Sequence, residues 1–226
     1  MKYYKDGKSI EYELVINDKY PYVEEIKNKV VYLNVRKNHD KEEVNKIIDR
    51  YFNHWYSMIN DKEYKKFYGK KVVHYLGKPY FAKTKKSNKD EMIIDKDTIT
   101  IYCKNDTHTQ HKAIYRRYLK KAVEQTIVKL YFDVQNDFKD IKIPEIIVKG
   151  LKSKKCFGYN KWNEIAIELD LGRYDEKYIK VVLYHELCHF YEIEHSDIFY
   201  KILDQKLENG SKIDKELDTI IYLDEF

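Results

Sequence analysis

Apolar and polar positions change period several times along the chain, and each change marks an element. Residues 10–17, IEYELVIN, and 29–36, KVVYLNVR, alternate with the period of two expected of half-buried strands. Over 40–60 the spacing becomes helical, with Val44, Ile47, Ile48, Tyr51, Phe52 and Trp55 on one stripe. Period two returns between 70 and 103 in the short runs KVVHYLG, PYFAKT, EMIID and TITIYC. Thr107 can cap a long helix that reaches about residue 136, with Ile114, Tyr118, Ala122, Ile127, Leu130 and Tyr131 on its apolar stripe. Two more strands, EIIVKG and EIAIELDL, are expected after Pro144. Asp175 can cap the helix that runs through VVLYHELCHF. Ser196 can cap the next, SDIFYKILDQKLE, with Asp197 near its positive end. The segment after Gly210 mixes Ile and Leu with acids and shows no assignable element. No repeat and no low-complexity stretch stands out, and with seven Gly and three Pro long flexible linkers are not expected.

Composition adds limits. The chain has 226 residues, 43% of them hydrophobic and 36% charged, which describes a folded protein with one substantial core or two small ones. A net charge of +5 gives a nucleic-acid partner only weak support. No apolar run approaches the roughly 20 residues that span a bilayer, and MKYYKDGKSIEYELVIND has no signal-peptide core, so a cytoplasmic location is the expectation. Cys103, Cys156 and Cys188 are odd in number and widely spaced. They form no disulfide framework, and each reads as a small buried residue.

The chemistry concentrates in HELCHFYEIEHS, residues 185–196. His185 and His189, four apart on a helix, put two imidazoles on one face, where both can reach one zinc ion. Glu186 follows the first histidine and projects beside the metal without binding it. A carboxylate there can take a proton from an activated water and pass it to a leaving amine. The competing reading is a surface helix with incidental histidines. The largely apolar helix (Val181, Val182, Leu183, Leu187, Phe190), the strand before it and the further histidine after it favour a metal site.

His195 lies six residues past His189, about 120° off the ligand face and about 9 Å along an unbroken helix. If it is a ligand, the helix has to end between Phe190 and Glu194 and the chain has to turn back. Glu208 competes for the third place. The break marked by Ser196 favours His195.

VVLYHELCHFYEIEHSDIFYKIL resembles the signature of the YgjP-like metallopeptidase domain family, a relative of the SprT and WSS-type zinc proteases. That pattern is HELxH, five residues, His-Ser, and an aromatic three places on. It is matched by His185, Glu186, His189, His195, Ser196 and Phe199, with Tyr200 where the family often has Trp. The order upstream, including FYGKKVVHYLGKPY, is similar as well, so the resemblance covers roughly residues 10–208. CFGYNKWNEIAIELD departs from the family's Trp-Gly-Ser-Cys: Gly158 is kept, while Phe157, Tyr159 and Asn160 are exchanged. The family's Asn near the end of that strand is replaced by Glu168 or Asp170 nearby.

The resemblance implies an α+β, zincin-like metalloprotease domain with a mixed sheet and an HExxH helix, preceded by a β-rich region. The expected division is 1–106 for the β-rich region with one helix, 107–210 for the metal-binding catalytic region and 211–226 for a tail. The implied function is zinc-dependent peptide hydrolysis, with His185, His189 and His195 as ligands and Glu186 as base and acid. Tyr159, Tyr191 and Arg173 are candidates for stabilising the transition state. Two alternatives remain: a zinc-bound binding module without turnover, and a protease acting on DNA-associated proteins. The second rests on the basic side of the long helix, Lys112, Arg116, Arg117, Lys120 and Lys121, which otherwise reads as a solvated face. His108 and His111 could hold a second metal but fit a polar helix start better. His39, His54 and His74 read as ordinary.

Overall fold

The computed structural model describes residues 1–16, 22–37, 40–60, 71–151, 156–161, 163–218 and 220, without the side chains of 22–25, 50, 53, 54 and 57. His39, Trp162, the start of the FYGKK segment and the side chain of His54 therefore lie outside the described residues. The fold is α+β with mixed sheets. Its packing divides it into two compact units, one over Met1–Val72 and one over Val73–Asp218. Among the described residues no helix is long and apolar enough to cross a membrane.

The first unit holds β1 (Lys2–Lys5), β2 (Lys8–Ile16), β3 (Tyr22–Lys27), β4 (Val30–Val35) and α1 (Lys41–Asn60). Its sheet has the order β1-β2-β4-β3, with β2 and β4 parallel and both outer pairs antiparallel. Alternate residues of β2 and β4, Ile10, Tyr12, Val31, Leu33 and Val35, face the α1 stripe Val44, Ile48, Phe52, Trp55 and Ile59 in one core.

The second unit opens with β5 (Val72–Tyr75), β6 (Lys78–Lys86), β7 (Glu91–Asp95), β8 (Thr98–Cys103) and α2 (His108–Asp137). The sheet order is β5-β6-β8-β7, again with the inner pair, β6 and β8, parallel and the pair β7 and β8 antiparallel. This repeats the plan of the first unit in order, direction and register. Glu11 stands opposite Val30 and Ile16 opposite Val35; Phe81 stands opposite Thr98 and Lys86 opposite Cys103. Lys27 pairs with Val30 as Asp95 pairs with Thr98. The first hairpin turns match too. Asp6 (φ 50) and Gly7 (φ 71) correspond to Leu76 (φ 48) and Gly77 (φ 79), both with the two left-handed residues of a type I′ turn.

The chain thus contains a ββββα repeat that its sequence does not display. The two copies preserve apolar positions and turn geometry and very few residue identities, so inspection of letters misses it. The packing divides the chain after Val72, and Val73, Ile99 and Ile101 of the second sheet share a core with Ile114, Tyr115 and Leu119 of α2.

Beyond α2 come β9 (Glu145–Lys149), β10 (Gly158–Lys161) and β11 (Glu164–Glu168), a three-stranded sheet ordered β10-β11-β9. Leu169–Arg173 form a short 3₁₀ helix, ending the strand sooner than EIAIELDL suggested. Then follow α3 (Glu176–Cys188), α4 (Asp197–Lys206) and α5 (Gly210–Leu217). Helix α3 is apolar on nearly every side, and Ile179, Val181, Leu183, Tyr184, Leu187 and Cys188 are completely buried. It packs against α2, β10, β11, α4 and α5. The three expected caps are formed: Thr107 accepts from the Gln110 amide (3.3 Å), Asp175 from Lys177 (2.9 Å) and Ser196 from Phe199 (3.3 Å).

Candidate metal centre

Helix α3 ends at Cys188, slightly before the expected break, and the chain turns through 190–195 before Ser196 starts α4. That turn brings His195 back over the face carrying His185 and His189. One donor nitrogen from each of the three lies within 4.8 Å of the others. Donors around a tetrahedral zinc ion stand roughly 3.4 Å apart, so this spacing suits such an ion after small ring movements. His185 Nε2 and His195 Nε2 are 2.8 Å apart. Phe199, fully buried at the start of α4, floors the cluster, with ring centroids 4.8, 4.7 and 5.0 Å from those of His185, His189 and His195.

Two of the imidazoles are oriented from behind. His185 Nδ1 lies 3.1 Å from Asp214 Oδ1, and His189 Nδ1 lies 3.1 Å from the Glu192 carbonyl. If each Nδ1–H donates to its oxygen, both Nε2 atoms are left as acceptors, the tautomer a metal ligand needs. Burial pulls the His185 pKa down, but the hydrogen bond and charge of Asp214 outweigh it and the net direction is up. His189 and His195 are held below the ordinary value, chiefly by burial.

Asp214 comes from α5, in the segment that shows no assignable element in the sequence. Asp204 accepts from the Ser211 amide (2.8 Å) and hydroxyl (2.7 Å), which fixes the α4–α5 corner and aims Asp214 at His185. A histidine ligand calls for such a carboxylate, but only the corner reveals which one. Glu208, the rival third ligand, is exposed and stands outside the histidine cluster.

Glu186 is 5% exposed. Burial raises its carboxyl to about 7, against a downward pull from His185. It packs against β10, where a Cβ on Gly158 would stand 2.7 Å from Glu186 Oε1 and 2.9 Å from its Cγ. Asn160 of the same strand donates from Nδ2 to the Glu186 carbonyl at 2.8 Å. The kept glycine thus makes room for the carboxylate, and the exchanged Asn160 ties β10 to the main chain of Glu186.

These groups line a cleft of about 1040 Å³, bounded by β10 on one side and by Phe190, Ile193 and Tyr200 on another. Strand β10 is the edge of its sheet, so its outer backbone groups face the cleft margin. Of the expected transition-state residues, only Tyr159 lines the cleft, and its hydroxyl donates to Glu164 (3.0 Å). Tyr191 donates to Asp140 (2.7 Å), and Arg173 lies 3.5 Å from Asp170; neither lines the cleft. Tyr200 does, with its ring centroid 6.4 Å from that of His195.

Cys188 and Cys103 are buried as expected, whereas Cys156 is half-buried and lines the cleft. Its thiol contacts the Gly158 carbonyl. Burial pushes the Cys188 thiol up to about 12, the state of an inert side chain. The basic side of α2 is partly neutralised. Arg116 pairs with Asp170 (2.6 Å) and Glu168 (3.7 Å), Arg117 donates to the Asp90 carbonyl (2.6 Å), and Lys120 lies 3.5 Å from Glu124.

A family model described as YgjP-like, metallopeptidase domain, matches residues 19–220. No curated protein and no solved structure matches the chain.

Proposed function

Because the chain belongs to the YgjP-like metallopeptidase domain family, we propose that it hydrolyses peptide bonds at the three-histidine cluster with zinc held by His185, His189 and His195. The donor set fits: three imidazoles with an open side toward a cleft is the usual complement of a hydrolytic zinc site. Zinc bound there supplies Lewis acidity to the scissile carbonyl and to the attacking water. Glu186 accepts the proton of that water and delivers it to the leaving amine. A carboxyl that titrates near neutrality is suited to both halves of that transfer. Gly158 and Asn160 hold Glu186 in place, Asp214 orients His185, and Phe199 keeps the three rings in register.

Strand β10 offers an extended peptide an edge to pair with, which favours flexible, unfolded segments as substrate. Phe190 and Ile193 at the rim suit an apolar side chain near the cut bond. The observation that carries this reading is the convergence of three donor nitrogens beside a buried carboxylate. It is tested by a peptide-library digest with zinc-loaded wild type and Glu186→Gln. Loss of at least about 10²-fold in rate with zinc content and melting temperature unchanged is expected. A folded, zinc-loaded Gln variant with full activity overturns it, as does a zinc-loaded wild type that cuts nothing.

A further inference from the structure

The corner between β8 and α2 holds three metal-ligating side chains that the histidine cluster does not use. Cys103 ends β8 and is fully buried, Asp106 stands in the connecting loop, and His111 lies buried in the first turn of α2. The thiol, one carboxylate oxygen and one ring nitrogen all lie within 4.8 Å of one another, and His111 Nε2 is 2.8 Å from Asp106 Oδ1.

The first copy of the repeat shows what packing alone requires at this corner. The register that sets Lys86 opposite Cys103 sets Ile16 opposite Val35. The helix start that places His111 after the Thr107 cap places Val44 after Asp40, whose side chain accepts from the Glu43 amide at 2.8 Å. Val35 and Val44 are both buried in an apolar core. One fold thus fills the corner with two valines and then, in its second copy, with a thiol and an imidazole beside a carboxylate. A buried thiol alone packs as a small apolar residue, but burying an imidazole is less favourable than burying a valine, so packing does not account for His111 beside Cys103 and Asp106.

We propose that Cys103, Asp106 and His111 form a second divalent-metal site, of the zinc class, that ties β8 to α2. Thiolate, imidazole and carboxylate together suit a borderline-soft ion. Donors around tetrahedral zinc stand roughly 3.5 Å apart, so each of the three has to move inward by no more than about 1 Å. The Asp106 side chain is 59% exposed, which leaves the outer face open for water as the fourth ligand. Binding releases the Cys103 thiol proton to solvent, and the ion's contribution is to hold the corner. His108, the other histidine of this segment, is exposed and has no place in the group.

The test is a cobalt titration of the metal-free full chain, independent of any peptidase activity. A thiolate ligand gives cobalt a near-ultraviolet charge-transfer band, whereas the three-histidine cluster contains no sulfur. In His185→Ala/His189→Ala, which leaves this site alone, the expected band saturates at one equivalent per chain. It persists in Cys156→Ala, and disappears in Cys103→Val and His111→Val, which copy the valine corner. In the His185→Ala/His189→Ala background zinc raises the melting temperature, and it ceases to do so once Cys103→Val is added. A cobalt-loaded wild type without the band overturns the proposal. So does a band that vanishes with Cys156→Ala and survives Cys103→Val. If the valine variants fail to fold, the band in the two alanine backgrounds decides alone.

Discussion

Gly158 and Glu186 fit together only because Gly158 has no side chain: a Cβ there would stand 2.7 Å from the carboxylate oxygen. The nearest atom is the far end of a flexible side chain, so the carboxylate moves and the strand does not. Gly158→Ala is expected to keep its fold and zinc while lowering kcat by roughly 10–100-fold, since small displacements of a general base are costly. Circular dichroism, metal analysis and steady-state kinetics check this. Unchanged kcat in a folded variant removes the strand from the positioning of Glu186.

Asp214 Oδ1 lies 3.1 Å from His185 Nδ1, so at the proposed zinc site it acts on the metal through that ring. Asp214→Asn keeps the shape but weakens the Nδ1–H bond. Zinc affinity is expected to fall about 10–100-fold, as it does when such a partner is removed. Competition with a chromophoric chelator gives the number. An affinity equal to wild type would mean that the contact only packs α5.

His195 and Glu208 are distinguished by metal content. His195→Ala is expected to lose zinc from the histidine cluster, Glu208→Ala to retain it, and His195→Asp to lie between, since a carboxylate is also a competent ligand. The measurement is zinc per chain in a Cys103→Val background, so that the other corner does not contribute. Loss in Glu208→Ala alone reverses the assignment.

The pH dependence of the metal-free protein follows from Glu186. Its carboxyl titrates near 4.5 when unfolded and at about 7 when folded. Below the lower value both states are protonated and nothing is lost. As pH rises from there to about 7 the unfolded chain ionises first, so this group destabilises the fold progressively, up to about 3 kcal/mol. Metal-free Glu186→Gln is therefore expected to match wild type at pH 4 and to exceed it above pH 7. The raised His185 works in the same direction, with stability present below the unfolded value and lost as pH rises through the folded one; its larger upward causes, the hydrogen bond and charge of Asp214, are common to both chains. Chemical denaturation with chelator across this range provides the comparison, and a difference that does not vary with pH refutes the account.

The parts of this molecule that were legible in its letters are those fixed by local rules. Thr107, Asp175 and Ser196 announce helix starts because a side-chain oxygen can cap only the amides just after it. The spacing of His185, Glu186 and His189 is local as well, and Ser196 marks where the chain has to turn for His195 to join them. Asp214, Gly158 and Asn160 were not assigned a role because each acts across a tertiary contact. The carboxylate partner of His185 comes from a helix that begins at Asn209 in a left-handed conformation, with no apolar stripe long enough to signal it. The expected burial of Cys156 failed for a related reason, since only the placement of β10 turns it toward the cleft.

Two copies of one strand plan in a single chain also shape how that chain finds its fold. Strand β4 has the length and direction to dock beside β6 as well as β2, and β8 beside β2 as well as β6. Both inner pairs are parallel ladders of six residues, so side-chain fit has to tell right from wrong. Misassembly between like modules is a characteristic failure of repeat-containing proteins. Here the second copy carries chemically distinct marks, Cys103 and His111 where the first has Val35 and Val44. An exchanged strand would leave a thiol or an imidazole stranded against valine, which biases the search toward the native pairing even before any ion arrives.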